Sequence, residues 1–256
     1  MNIPNKIFIV PYRNRELQKI HFEVYMKYIL EDIPEEEYEI YFSHQCDPRP
    51  FNRGASKNIG FLAMKDKYPD HYKNITFIFN DLDTMPYEKN LLNYDTTIGT
   101  IKHYYGFNYA LGGIFSIKGG DFEKCNGFPN LWGYGLEDNT MQKRAEINKI
   151  TIDRSNFYPI LDQHILQIHT GGKRMMSNKA PILKDIVHIN SLQEISNLKY
   201  TIDNNMINIS NFDIPNKFEN NLFYYQDFNI DGKIVPNKEK QLQQIQKLKH
   251  FGMKLF

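Results

Sequence analysis

Apolar and polar positions follow two rhythms along the first eighty residues. Lys6-Ile7-Phe8-Ile9-Val10 is a short apolar run, ended by Pro11, of the kind a strand buried on both faces shows. From Glu16 to about Leu30, Leu17, Ile20, Val24 and Ile29 recur at helical spacing. Tyr38 to Phe42 reads as a second strand and Ile75 to Phe79 as a third. Between them Ser56 to Lys67 reads as a helix, with Ile59, Leu62, Ala63 and Tyr68 near one face. A β-α-β-α-β opening predicts a doubly wound sheet, which takes ligands beyond the carboxyl ends of its strands.

Farther on, Ile98 to Ile101, Ile114 to Ile117 and Lys149 to Ile152 read as strands and Asn139 to Glu146 as a helix. From Pro215 the chain turns Asn- and Lys-rich, and Leu242, Ile245 and Leu248 space a helix within Lys238 to Phe251. The expected organisation is one α/β domain over 1–214 and an extension over 215–256 whose helix docks on it. A basic amphipathic membrane anchor is the sharper alternative for that helix.

The 256 residues suffice for one large domain with a real core. A formal net charge of +1, without a basic stripe, argues against a nucleic-acid partner. The 14% of aromatic residues favours a ligand-binding surface, although most will be core. Frequent Asn, Lys, Ile and Tyr read most simply as an AT-rich coding genome. Cys46 and Cys125 make no disulfide framework; two buried thiols are expected, or one bridge in an oxidising space. Met1 leads straight to a strand, with no signal core and no long apolar span, so a cytoplasmic protein without membrane association is expected.

Candidate chemistry falls at the predicted strand ends. Asp81-Leu82-Asp83 follows the third strand, where carboxylate oxygen suits a hard divalent cation bridging diphosphate oxygens. Asp83 is the expected ligand, and Asp81 is expected on ribose or behind the metal; a turn or helix-capping aspartate is the bland alternative. Arg13 and Arg15 would share a face of an extended segment and suit base, ribose or diphosphate oxygens, the alternative being surface ion pairs. Phe51-Asn52-Arg53 opens a second such loop, an aromatic for a base beside an arginine for phosphate. Trp132-Gly133-Tyr134-Gly135-Leu136-Glu137-Asp138-Asn139 joins aromatics for a sugar ring, flexible glycines and a carboxylate pair.

These blocks, with Phe8 to Arg15, Gly112-Gly113, Asn126 to Asn130 and Asn190-Ser191-Leu192 followed by Tyr200, occur in one order. In that order they resemble the β-1,4-galactosyltransferase family over residues 5 to about 214. The resemblance implies a GT-A type single domain, with a mixed, mostly parallel sheet and a Rossmann-like nucleotide-binding N-terminal half. It implies a Mn²⁺ (or Mg²⁺) cofactor, a UDP-sugar donor, a glycan or glycoconjugate acceptor and inversion at the anomeric carbon. On that likeness Pro11, Arg13, Arg15, Phe51, Arg53, Asp81 and Leu82 would meet the nucleotide, Ala110 and Gly113 the donor sugar, and Trp132 would line the donor and acceptor site. Tyr134, Glu137, Asp138 and Asn139 would hold the acceptor, with Asp138 as base.

Departures from the family pattern bear on specificity. Asn139 stands where a third acid is common, and Tyr134 and Leu136 soften a tryptophan-glycine repeat. The late metal block offers His169 as ligand, with Gln167 as an amide oxygen and Leu166 unable to ligate; His164 is a poorer candidate. Weaker or less Mn²⁺-selective binding is expected, with Gly171-Gly172 as a lid hinge. Ala110 replaces a bulky tyrosine near the donor's C2 group, leaving room for N-acetyl, so UDP-Gal, UDP-GalNAc and UDP-GlcNAc stay open. The rival reading is a non-catalytic nucleotide-sugar or glycan-binding domain; a polypeptide-modifying hexosaminyltransferase is more distant.

Overall fold

A computed structural model describes residues 2–168, 172–178, 182–216, 218–219, 222–228 and 233. Strand β1 (Lys6–Tyr12) runs into helix α1 (Glu16–Ile29), β2 (Tyr38–Gln45), α2 (Arg53–Lys67) and β3 (Thr76–Asn80). Then come β4 (Thr84–Pro86), β5 (Thr100–Gly106), β6 (Ile114–Lys118), α3 (Gly119–Lys124) and α4 (Glu137–Ile147). Short strands β7 (Thr151–Asp153), β8 (Tyr158–Pro159), β9 (Ile165–Gln167) and β10 (Gly172–Ser177) lead to α5 (Leu183–Ile186). Strands β11 (Ser196–Asp203), β12 (Met206–Asp213) and β13 (Phe223–Phe228) complete the described elements.

The central sheet has the order β11-β12-β2-β1-β3-β6-β5-β7, with β8 also on β5. Strands β12, β2, β1 and β3 are mutually parallel, and β6 reverses against both β3 and β5. This is the expected α/β class with a mixed, mostly parallel sheet. Strand β1 is buried along its whole length, which its unbroken apolar run requires, and it passes through Pro11 to Tyr12 rather than stopping there.

Each face of the sheet carries its own core. One gathers Ile7, Ile9, Ile59, Phe61, Phe77, Phe79, Phe115 and Phe122 under α2 and α3. The other gathers Phe8, Val10, Phe42 and Ile78 with Phe22, Met26 and Ile29 of α1. Helix α1 has the expected bounds, but Leu17, Ile20 and Val24 face solvent. Thr84↔Gln167 pairs β4 with β9, and β10 pairs antiparallel with β13 in a separate ribbon. Within the stretch expected as an extension, β13 is a strand, and Phe218 and Phe223 pack against the core. The helix expected over Lys238 to Phe251 lies outside the described residues. Both cysteines are free; Cys125 is buried, whereas Cys46 is exposed rather than buried as expected. Among the described residues no helix is long and apolar enough to cross a membrane.

Candidate active site

A cleft of about 520 Å³ opens beyond the carboxyl ends of β1 and β3. Its wall includes Pro11, Arg13, Arg15, Phe51, Arg53, Asp81, Leu82, Asp83, Ala110, Gly113, Tyr134, Glu137, Asp138 and Gln167, whereas the Asn126 to Asn130 and Asn190 to Leu192 blocks contribute nothing to it. Asn14, at φ 50, turns the chain between Arg13 and Arg15, so the two arginines do not share a face of one extended strand. Arg13 donates to the Arg49 carbonyl, and Arg15 Nη1 lies 2.7 Å from Asp83 Oδ2.

The centre of the cleft is an ion network. Helix α2 starts at Arg53, behind an Asn52 cap that accepts from the Ala55 amide, and this aims the guanidinium inward. Arg53 Nη2 holds both oxygens of Asp81, at 2.8 and 2.7 Å, while Nη1 lies 3.0 Å from Asp138 Oδ1. One turn on, fully buried Lys57 places its ammonium 3.3 Å from Asp81 Oδ1 and 4.7 Å from the Phe128 ring centroid. Burial alone would raise the Asp81 carboxyl, but Arg53 and Lys57 outweigh it and hold the pKa down to about 2. Burial lowers Lys57, reinforced by Arg53. Glu137 is raised, first by burial and then by Asp138, against the opposing pull of Arg53.

Three loops are pinned together by backbone bonds. The Asp81 amide donates to Gly113 O at 3.0 Å, and the Leu111 amide donates to Asp138 O at 3.0 Å. Gly113, at φ 68, lies so close to Tyr105 O that a β-carbon would overlap it. Glu137 and Asp138 occupy the first turn of α4, where helix-end N–H groups favour negative charge. Leu136, the residue before them, is held at φ 68, a strained state for a bulky side chain.

Some expected positions fall elsewhere. Trp132 is buried behind the wall rather than lining it: it stacks on Phe212 at 5.9 Å and donates through Nε1 to Asn216 O. Asn139 is also absent from the wall, and its amide reaches toward Tyr109 O at 3.4 Å. His169 lies outside the described residues, as does Gly171. Tyr105, Lys173, Arg174, Met175 and Tyr225 line the cleft without having been singled out. Tyr105 had a weak signal in the apolar end of β5, whereas the β10 and β13 residues carry no motif and arrive only through tertiary pairing.

The donor set suits a hard cation. Asp83 supplies carboxylate oxygen, and Gln167 presents an amide oxygen that accepts from Tyr105 Oη at 2.6 Å. The Ile168 amide donates to Asp83 O at 2.8 Å, fastening the end of β9 to the Asp81-Leu82-Asp83 loop. No group of three or more His, Cys, Asp or Glu side chains able to hold a metal occurs among the described residues. Such a cation is commonly held by one or two protein oxygens together with substrate phosphates, and that arrangement fits here.

Comparisons with known proteins agree with this geometry. Residues 4–95 match the N-terminal region of glycosyl transferase group 7, and residues 93–167 match the N-terminal domain of galactosyltransferase. Rat β-1,4-galactosyltransferase 4 is 28% identical over 208 residues, covering 76% of this chain and 58% of the rat protein. The Cricetulus griseus counterpart is 32% identical over 183 residues, covering 64% and 48%. The chain thus spans about half the length of these relatives. The catalytic domain of Drosophila β-1,4-galactosyltransferase 7, solved with xylobiose, superposes with a TM-score of 0.64 at 23% identity, covering 81% of this chain and 94% of that one. A variant of the Drosophila enzyme, solved with manganese, UDP-Gal and xylobiose, gives 0.61 at 21%, with the same coverage.

Proposed function

The chain belongs to the β-1,4-galactosyltransferase family, and on that premise we propose an inverting, metal-dependent glycosyltransferase that moves a hexose or N-acetylhexosamine from a UDP-sugar to a glycan hydroxyl. One observation carries the reading: Asp81, Asp83 and Asp138 converge on one cleft, and Arg53 joins the first and last of them. A module that only bound nucleotide would not need the carboxylate of Asp138 beside the phosphate-binding side. The manganese and UDP-Gal bound by the Drosophila relative support the choice of donor and metal.

In this proposal Pro11, Arg13, Arg15, Phe51, Arg53, Asp81 and Leu82 hold UDP, and Ala110 and Gly113 face the sugar. Asp83 and Gln167 would hold Mn²⁺, while His169, the ligand expected from the sequence, lies outside the described residues. When bound, the cation supplies positive charge to the departing diphosphate. Arg53 exchanges Asp138 for phosphate oxygen as the donor enters, which frees that carboxylate. Tyr134 and Glu137 position the acceptor; Asn139, which does not line the cleft, has no part in it. Asp138 takes the proton of the attacking hydroxyl, whose oxygen bonds to the anomeric carbon as the bond to the β-phosphate oxygen breaks. A cytoplasmic location belongs to the same proposal; the exposed, free Cys46 thiol suits a reducing compartment.

Ala110 bears on the donor. Its side chain is small and it lines the cleft beside Gly112-Gly113, which leaves space for a C2 substituent. Turnover of UDP-Gal, UDP-GalNAc, UDP-GlcNAc and UDP-Glc, each with Mn²⁺, tests this against Ala110→Tyr. The substitution should lower use of N-acetylated donors relative to UDP-Gal by on the order of 10–200-fold. An unchanged ratio would remove Ala110 from donor choice, and absence of turnover with every donor would count against the enzyme itself.

A further inference from the structure

We propose that β13 adds an outer sugar subsite to the cleft, in which Tyr225, with Tyr134 and Arg174, receives the second pyranose ring of a disaccharide or longer acceptor. The inference rests on the glycosyltransferase reading and names the substrate class on its acceptor side. Tyr225 lines the same cleft as Asp138 yet is 67% exposed, an aromatic ring that folding leaves uncovered. Its place is well defined: it pairs with Met175 across the ribbon, and Met175 O accepts from the Tyr134 amide at 2.6 Å. The loop bearing Tyr134, Glu137 and Asp138 is therefore continuous with β10 and, through it, with β13. Two neighbour spacings separate Tyr134 from Tyr225, roughly 10 Å of backbone, which lies beyond one ring held at Asp138.

The wall between them is braced. The Arg174 guanidinium lies 4.1 Å from the Tyr134 ring centroid and 4.8 Å from that of Phe228, and the two rings are 5.5 Å apart. Phe107, which also lines the cleft, stacks on Tyr109 at 5.2 Å, and both are exposed. A pyranose ring presents an apolar C–H face to an aromatic and hydroxyls to a guanidinium, and this wall offers both. A phenol ring also brings contact area at little cost in side-chain entropy.

The test is binding of the full chain, loaded with Mn²⁺ and UDP, to an array of immobilised glycans graded from mono- to tetrasaccharide. Parent, Tyr225→Ala and Tyr225→Phe are compared, with UDP affinity measured in parallel. The parent should bind disaccharides and longer glycans about tenfold more tightly than the matching terminal monosaccharide. Tyr225→Ala should erase that preference and leave UDP affinity unchanged, whereas Tyr225→Phe, which keeps the ring face, should retain it. A length preference that survives Tyr225→Ala, or no preference in the parent, overturns the subsite and leaves the enzyme reading intact. If the parent binds UDP but no glycan, both the subsite and the acceptor assignment fall. If it does not bind UDP, the proposed function fails as well.

Discussion

A β-carbon at Gly112 would overlap the Asp138 carboxylate, although the Gly112 backbone is not in the left-handed region. Gly112→Ala should therefore fold normally but push the proposed base aside. Turnover should fall about 100-fold, as misplacement of a reacting group by about 1 Å can cause, with UDP affinity little changed; isothermal titration beside steady-state kinetics checks both. The Asp81 carboxyl belongs to the same network. Its folded pKa, about 2, lies below the ordinary 3.8, so its stabilisation is complete above about pH 4 and is lost as pH falls toward 2. Glu137 acts in the opposite sense, because its raised pKa makes ionisation costly and acidification relieves that cost. Thermal melts from pH 5 to 2 should show a declining limb that Asp81→Asn flattens, with the variant less stable at pH 5, where Arg53 and Lys57 have lost the Asp81 carboxylate, and the two curves converging toward pH 2. Arg53 and Asp138 were legible in the sequence because loop motifs carry them. Arg174 and Tyr225 were not, since nothing local distinguishes them from ordinary surface residues.

Element by element, periodicity located α1 but not its buried side. Leu17, Ile20 and Val24 keep helical spacing yet are 81%, 51% and 68% exposed, while Phe22, Met26 and Ile29 meet the sheet. A helix apolar on more than one face does not say which stripe is covered; packing decides that. Strands β4, β8 and β9, of two or three residues, are too short to carry a rhythm, whereas β7 overlaps the strand expected over Lys149 to Ile152. The entry to α4 shows a different conflict. Leu136, at φ 68, starts the helix without a side-chain cap, while Glu137 Oε2 accepts from the Gly135 amide at 3.0 Å. Leu136→Gly should relieve about 1–2 kcal/mol of left-handed strain and raise the melting temperature. The same change should lower turnover by loosening the acidic pair; a variant that is both more stable and faster would contradict a positioning role for the strain.

At the scale of the whole molecule, the parallel half was readable because β1, β2 and β3 alternate with two helices, and that order implies the sheet and its ligand-binding edge. The reversed β6 and the insertion of β12 beside β2 depend on pairings between residues far apart in the chain, which local pattern does not encode. What the assembled sheet achieves is convergence: loops following β1, β3 and β5, together with the entries to α2 and α4, bring carboxylates and cations from distant parts of the sequence into one cleft. The claim that this convergence is catalytic rests on Asp138. Asp138→Asn keeps the size of the side chain and removes its basicity. The decisive measurement is Mn²⁺-dependent UDP release from a donor and acceptor pair by parent and Asp138→Asn, with UDP binding measured on both. The account predicts turnover in the parent, its loss by at least about 100-fold in the variant and UDP affinity preserved. Transfer by Asp138→Asn at the parent rate would contradict it.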